Sequence, residues 1–137
     1  MIRPAPWLLA ACALLHAPAN AGCADPLDAP NALSVESDGV RVAFVPRPLP
    51  IPVGEHFGID FVVCIGDVAR SDARLQVDAD MPAHRHGMNY RASIAPLPGG
   101  VFHAEGLMFH MPGRWRLLFD VELGGRTLRL AREIEVQ

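Results

Sequence analysis

Lysine is absent from this chain. All twelve basic residues are Arg, and against fifteen acidic residues they leave a formal charge of −3. No basic cluster marks a nucleic-acid surface, which sets that class of partner aside. Past the N-terminal stretch, no apolar run is long enough to cross a bilayer. A helical period is missing throughout. So are the frames of common catalytic motifs: there is no nucleophile elbow, no phosphate loop and no carboxylate pair in a distinctive setting. His110 with Glu105 or Asp120 could exchange protons in principle. No constellation fills the roles an active site requires, and the chain reads as a non-enzyme.

Cysteine is scarce, and no C-x-x-C spacing occurs. Cys12 falls in a segment that reads as a secretory signal peptide, residues 1–21. That segment has a basic start at Arg3, an apolar run from Trp7 to Leu15 that is too short to span a membrane, and a small-x-small cleavage site at Ala19-Asn20-Ala21. Pro4, Pro6 and Pro18 argue against a buried helix there. A lipid attached at Cys23 is disfavoured, because Asn20 stands where an aliphatic residue is wanted. The sequence thus predicts a periplasmic or otherwise exported protein with no membrane span after cleavage. In an oxidising compartment, Cys23 and Cys64 most simply pair as a disulfide, the alternative being a thiolate metal ligand.

What is present is period-two alternation. Residues 22–39 read as an extended lead rich in Pro, Ala and Asp. From Leu33 onward the pattern is β: Val40–Val45 is an apolar-rich run, and apolar and polar residues alternate over Phe57–Cys64, Leu75–Asp80, Trp115–Leu123 and Leu128–Val136. Turn signals separate them at Gly66-Asp67, Pro98-Gly99-Gly100, Met111-Pro112-Gly113 and Gly124-Gly125, the last a tight hairpin. Pro46, Pro48, Pro50 and Pro52 cannot donate to a central ladder, so that stretch is an edge or a crossing. The pattern predicts an all-β domain over 40–137, an immunoglobulin-like antiparallel β-sandwich of about seven strands, with Trp115 in its core.

The chemistry is concentrated in two short segments. Met81-Pro82-Ala83-His84-Arg85-His86-Gly87-Met88 is answered by Met108-Phe109-His110-Met111-Pro112-Gly113. If the first is extended, His84, His86 and Met88 project from one face. Imidazole suits both copper oxidation states, and thioether sulfur is soft and suits Cu(I). Zinc takes His, Cys and carboxylate and gains little from Met. Each residue alone has a plainer reading, as a hydrogen-bonded histidine or a gap-filling methionine. Their concentration is the signal: three of the five histidines past residue 21, and every methionine except Met1, lie in these segments. The expected copper ligands are His84, His86, Met88 and His110, with Met81 or Met111 as soft donors. His103 is at most an outer contact, and His56 faces solvent. Arg85 is expected to pair with Asp78 or Asp80, and Tyr90 to pack.

The first segment, together with Gly106-Leu107-Met108-Phe109-His110-Met111-Pro112-Gly113-Arg114-Trp115, resembles the YtkA-like/FixH-like group of small exported β-sandwich domains. The resemblance spans roughly Val40 to Val136. It implies an immunoglobulin-like fold and a link to copper trafficking or respiratory oxidase maturation. The chain departs from the membrane-anchored members in showing no retained transmembrane helix. In size, fold and His/Met usage it is also similar to the CopC-type periplasmic copper carriers, without a shared motif. Two functions follow as expectations. One is a copper carrier or chaperone. The other is a metal-free accessory or interaction module that binds an envelope protein.

Overall fold

Three two-residue turns set the register of the strands. Asp38-Gly39 joins β1 (Leu33–Ser37) to β2 (Val40–Arg47), and Gly124-Gly125 joins β9 (Gly113–Leu123) to β10 (Arg126–Val136). In both turns the two central residues have positive φ, the conformation that matches the twist of paired strands and that Asn, Asp and Gly tolerate best. Gly66-Asp67 likewise closes β3 (His56–Ile65) onto the two-residue β4 (Val68–Ala69).

The computed structural model describes residues 22–137; the expected signal peptide, with Cys12, lies outside the described residues. The remaining strands are β5 (Arg74–Met81), β6 (His86–Gly87), β7 (Ser93–Pro96) and β8 (Val101–Met108). They form two antiparallel sheets, ordered β1-β2-β3-β8-β7, with β4 on β3, and β10-β9-β5-β6. The fold is all-β, as the alternation predicts. The order β2-β3-β8-β7 against β10-β9-β5 reproduces the A-B-E-D and G-F-C sheets of an immunoglobulin-like sandwich. Among the described residues, no helix is long and apolar enough to cross a membrane.

The inner faces meet in one core that includes Phe44, Phe61, Phe119, Ile59, Leu117 and Trp115. Phe119 lies 5.1 Å from Phe44 and 5.5 Å from Phe61 between ring centroids. β2 runs two residues past the predicted stop, through Pro46. This is tolerated because β1 covers only Val40–Phe44, leaving Pro46 on an open edge.

The lead is not extended throughout. It makes a 3-10 turn at Asp25–Leu27 and then contributes β1 to the first sheet. Leu27 and Cys23 are buried over Ala43, Val62, Cys64 and Val101, a second and smaller core outside that sheet. The expected disulfide is present, joining Cys23 to Cys64 with Cα atoms 6.0 Å apart. A bridged, buried Cys23 is neither a thiolate ligand nor a lipid attachment point.

Candidate metal centre

Met81 ends β5 because Pro82 follows it. The chain makes a 3-10 turn over Pro82–His84, closed by the Arg85 N–H donating to the Pro82 carbonyl at 3.2 Å. Arg85 takes a left-handed conformation at φ 56° and reverses the chain. β6 then runs back along β5, with His86 directly opposite Met81 and the Met88 N–H donating to the Ala79 carbonyl at 3.0 Å. The expected extended run is therefore corrected: His84 stands exposed on a turn and His86 on the returning strand. Residues directly opposite in an antiparallel pair share a face. Met81 is buried, so His86 faces the end of the core, half-covered.

The second segment crosses between the sheets, from the end of β8 to the start of β9. Phe109 pins it inward. Its ring stacks on Trp115 at 4.7 Å and 15° and lies 4.8 Å from Phe57, and its carbonyl accepts from the Gly54 N–H at 2.8 Å. Burying Phe109 turns its neighbour His110 outward, into solvent. The Trp115 Nε1–H donates to the Met111 carbonyl at 3.0 Å. Gly113 has φ 124°, and a Cβ there would lie 3.1 Å from the Met81 Cε, so the end of the Met81 thioether sits beneath this turn.

The turn after β5 and the β8–β9 crossing bring imidazoles from distant parts of the chain to one rim. His84 and His86 have ring centroids 5.8 Å apart, and His86 and His110 are 4.8 Å apart. Two imidazoles bonded through nitrogen to one ion have centroids within about 6 Å of each other, given metal–nitrogen bonds of about 2 Å. Each neighbouring pair meets that limit. The row does not close into a triangle: among the described residues, no three of His, Cys, Asp or Glu converge to hold one ion. The Nδ1 of His86 lies 3.3 Å from the Gly87 carbonyl. When Nδ1 carries the proton, the Nε2 lone pair remains available to a metal.

The thioethers are distributed unevenly. Met81 is buried at the junction of the two segments, and Met111 is half-buried beside His110. Met88 is half-buried against the main core and lines an open cleft with Tyr90, Arg91 and Ile94. Trp115, expected only in the core, also borders the imidazoles, with centroids 5.7 Å from His86 and 5.2 Å from His110. Its position five residues after His110 was the available sequence signal.

The other expectations divide. His56 is exposed, as predicted, and meets an exposed Tyr90 edge-on at 4.7 Å. Tyr90 packs on that ring rather than in the core. Asp80 accepts from Arg116, its partner across β5 and β9, at 2.9 Å, while Asp78 accepts from the Ala79 N–H. These contacts replace the pairing expected with Arg85. His103 is no outer contact of the rim. Its Nδ1 lies 2.6 Å from Asp60 Oδ1 on the first sheet, and Arg47 holds the other carboxylate oxygen. Partial burial pushes the Asp60 carboxyl up, but the hydrogen bonds from His103 and Arg47 outweigh it and hold Asp60 below its ordinary range.

A solved DUF4426 family protein from Pseudomonas aeruginosa is similar in structure, with a TM-score of 0.52 over 77% of this chain and 96% of that one. The two share a fold. At 11% sequence identity the likeness extends to the fold alone. No family model and no curated protein matches this chain.

Proposed function

We propose that this protein binds copper at the imidazole rim and acts as a carrier or chaperone of the cell envelope. The observation that carries this reading is the row His84, His86 and His110. It is assembled from two segments more than twenty residues apart, with spacings of 5.8 and 4.8 Å and with Met81 and Met111 beside it. Imidazole plus thioether is a donor set that favours copper, and it survives where free thiols are oxidised. The buried disulfide fits such a compartment, and with it export to the periplasm. Exposure of His84 and His110 suits a carrier, since a receiving protein can reach the ion. The motif resemblance to YtkA-like/FixH-like domains points the same way.

The test is copper loading of the purified protein, followed by metal analysis. One equivalent is expected to remain bound, and His86→Ala with His110→Ala is expected to abolish it. Affinity should fall in acid, where protons compete for imidazole nitrogen. Copper content unchanged in the double variant ends the assignment.

A second reading is a metal-free accessory module that binds an envelope protein and is linked to respiratory oxidase maturation. It is favoured by the open row: among the described residues, no three His, Cys, Asp or Glu side chains come to one point. A protein that retains no copper at all would support it.

A further inference from the structure

The arrangement at the rim constrains which copper ion can sit there, and it draws in a residue that the donor pattern alone does not select. We infer that the bound form is Cu(I), held by His86, His110 and a thioether of Met81 or Met111, with the indole of Trp115 as one wall of the site. This inference rests on the copper reading above.

The first argument is donor supply. Two imidazoles of the row are close enough to share an ion, and among the described residues no third His, Cys, Asp or Glu joins them. The polar groups nearest in sequence do not fill the gap: Asp80 is engaged by Arg116. What remains beside the pair is thioether sulfur. Met81 stands opposite His86 in the ladder, and its methyl lies against Gly113 of the turn that follows His110 and Met111. Two nitrogens and a sulfur, with no charged oxygen, suit a soft ion of low coordination number. Zn²⁺ and Cu²⁺ would have to complete their shells with water against an apolar wall.

The second argument is that wall. Trp115 is fully buried, yet it touches both imidazoles. Its plane is fixed from two sides, by Phe109 stacked at 15° and by the Nε1–H bond to the Met111 carbonyl. An ion held on the indole side of the His86–His110 pair comes within the roughly 6 Å over which a cation is attracted to an aromatic ring. A monovalent ion also loses less hydration on entering such a site than a divalent one. Phe109 and Trp115 thereby link the core to the ion: the same stacking that fills the end of the sandwich orients the ring at the rim.

The experiment uses the protein as it stands after leader cleavage, residues 22–137, in which Trp115 is the sole indole. Cu(I) is supplied anaerobically with ascorbate and a competing chelator, and Cu(II) and Zn(II) are titrated separately. Cu(I) is expected to bind about a hundredfold more tightly than Zn(II), and to change Trp115 emission with an endpoint at one equivalent. Met81→Leu with Met111→Leu should weaken Cu(I) at least about tenfold, which removal of a metal–sulfur contact readily exceeds, while leaving Zn(II) binding unchanged. Trp115→Phe should weaken Cu(I) about three- to tenfold; if that variant misfolds, the emission change in the unsubstituted ring is the independent readout. If copper binds but Zn(II) competes equally, or Cu(I) leaves Trp115 emission unaltered, this inference fails and the copper reading stands. If neither copper ion binds, both fail.

Discussion

Asp60 sits half-covered on the outer side of the first sheet, with His103 on one carboxylate oxygen and Arg47 on the other. Because those hydrogen bonds lower its folded-state pKa, the linkage has a definite sign. Asp60 adds stability that is present above the unfolded carboxylate value of about 3.9 and is lost as pH falls through the lower folded value. Denaturant unfolding across pH 2–5 should show this decline, and Asp60→Asn should flatten it. A variant that loses stability on acidification as steeply as the parent would contradict the assignment. At this scale the sequence revealed residue types better than residue roles. His103 carries no local sign that its partner is 43 residues away. Arg85 sits near two carboxylates in sequence, yet Arg116 reaches Asp80 first because the β5–β9 register places them directly opposite. Trp115 was legible as core but not as a neighbour of His86 and His110, since that contact depends on how two loops cross.

β2 and β3, buried on both faces, were legible as apolar-rich stretches, and β5, β9 and β10 by their alternation. β9 and β10 alternate cleanly and were readable to within two residues of their ends. β8 was not, because Val101 faces the small core under Leu27 while Phe102 faces the main core, which erases the alternation. Gly106, at φ 85°, interrupts it again. The rim segment failed for a different reason. Alternation over His84, His86 and Met88 matches a strand, but Pro82 starts a 3-10 turn and Arg85 reverses the chain, so the histidines meet across a turn instead of along a face. Where β3 meets β8, the register shifts between Phe57 and Ile59, leaving Gly58 under the His103 ring. A Cβ on Gly58 would lie 2.8 Å from His103 Cε1 and 3.1 Å from the Ala104 carbonyl oxygen. Gly58→Ala should therefore destabilise the protein by about 1–3 kcal/mol through overpacking, read from the midpoint of chemical denaturation. An unchanged midpoint would show that the bulge can absorb a methyl group.

Across the whole molecule, the covalent clamp and the imidazole rim occupy opposite poles. Cys64 lies eight residues along β3 from His56, which pairs with Met108 at the rim, a separation of roughly 25 Å in an extended strand. The bridge closes a loop with a sequence separation of 41. Its reduction should cost about 4 kcal/mol of stability on the chain-entropy account, measured by denaturant unfolding with and without a thiol reductant. Because the rim is built from β5, β6, β8 and β9, reduced protein that is still folded should bind copper as the oxidised form does. Loss of binding on reduction, with the sheets intact, would show that the two poles communicate.

The last ladder pair of the second sheet joins Val136 to Gly113, which places Val136 beside the turn that carries His110 and Met111. A polyhistidine purification tag appended after Gln137 would hang next to the native imidazoles and lend them foreign nitrogen, inflating apparent stoichiometry and hardening the metal preference toward nickel or zinc. The same tag attached ahead of Gly22 would emerge beside the Cys23 bridge, at the far pole, and leave the rim's own selectivity legible.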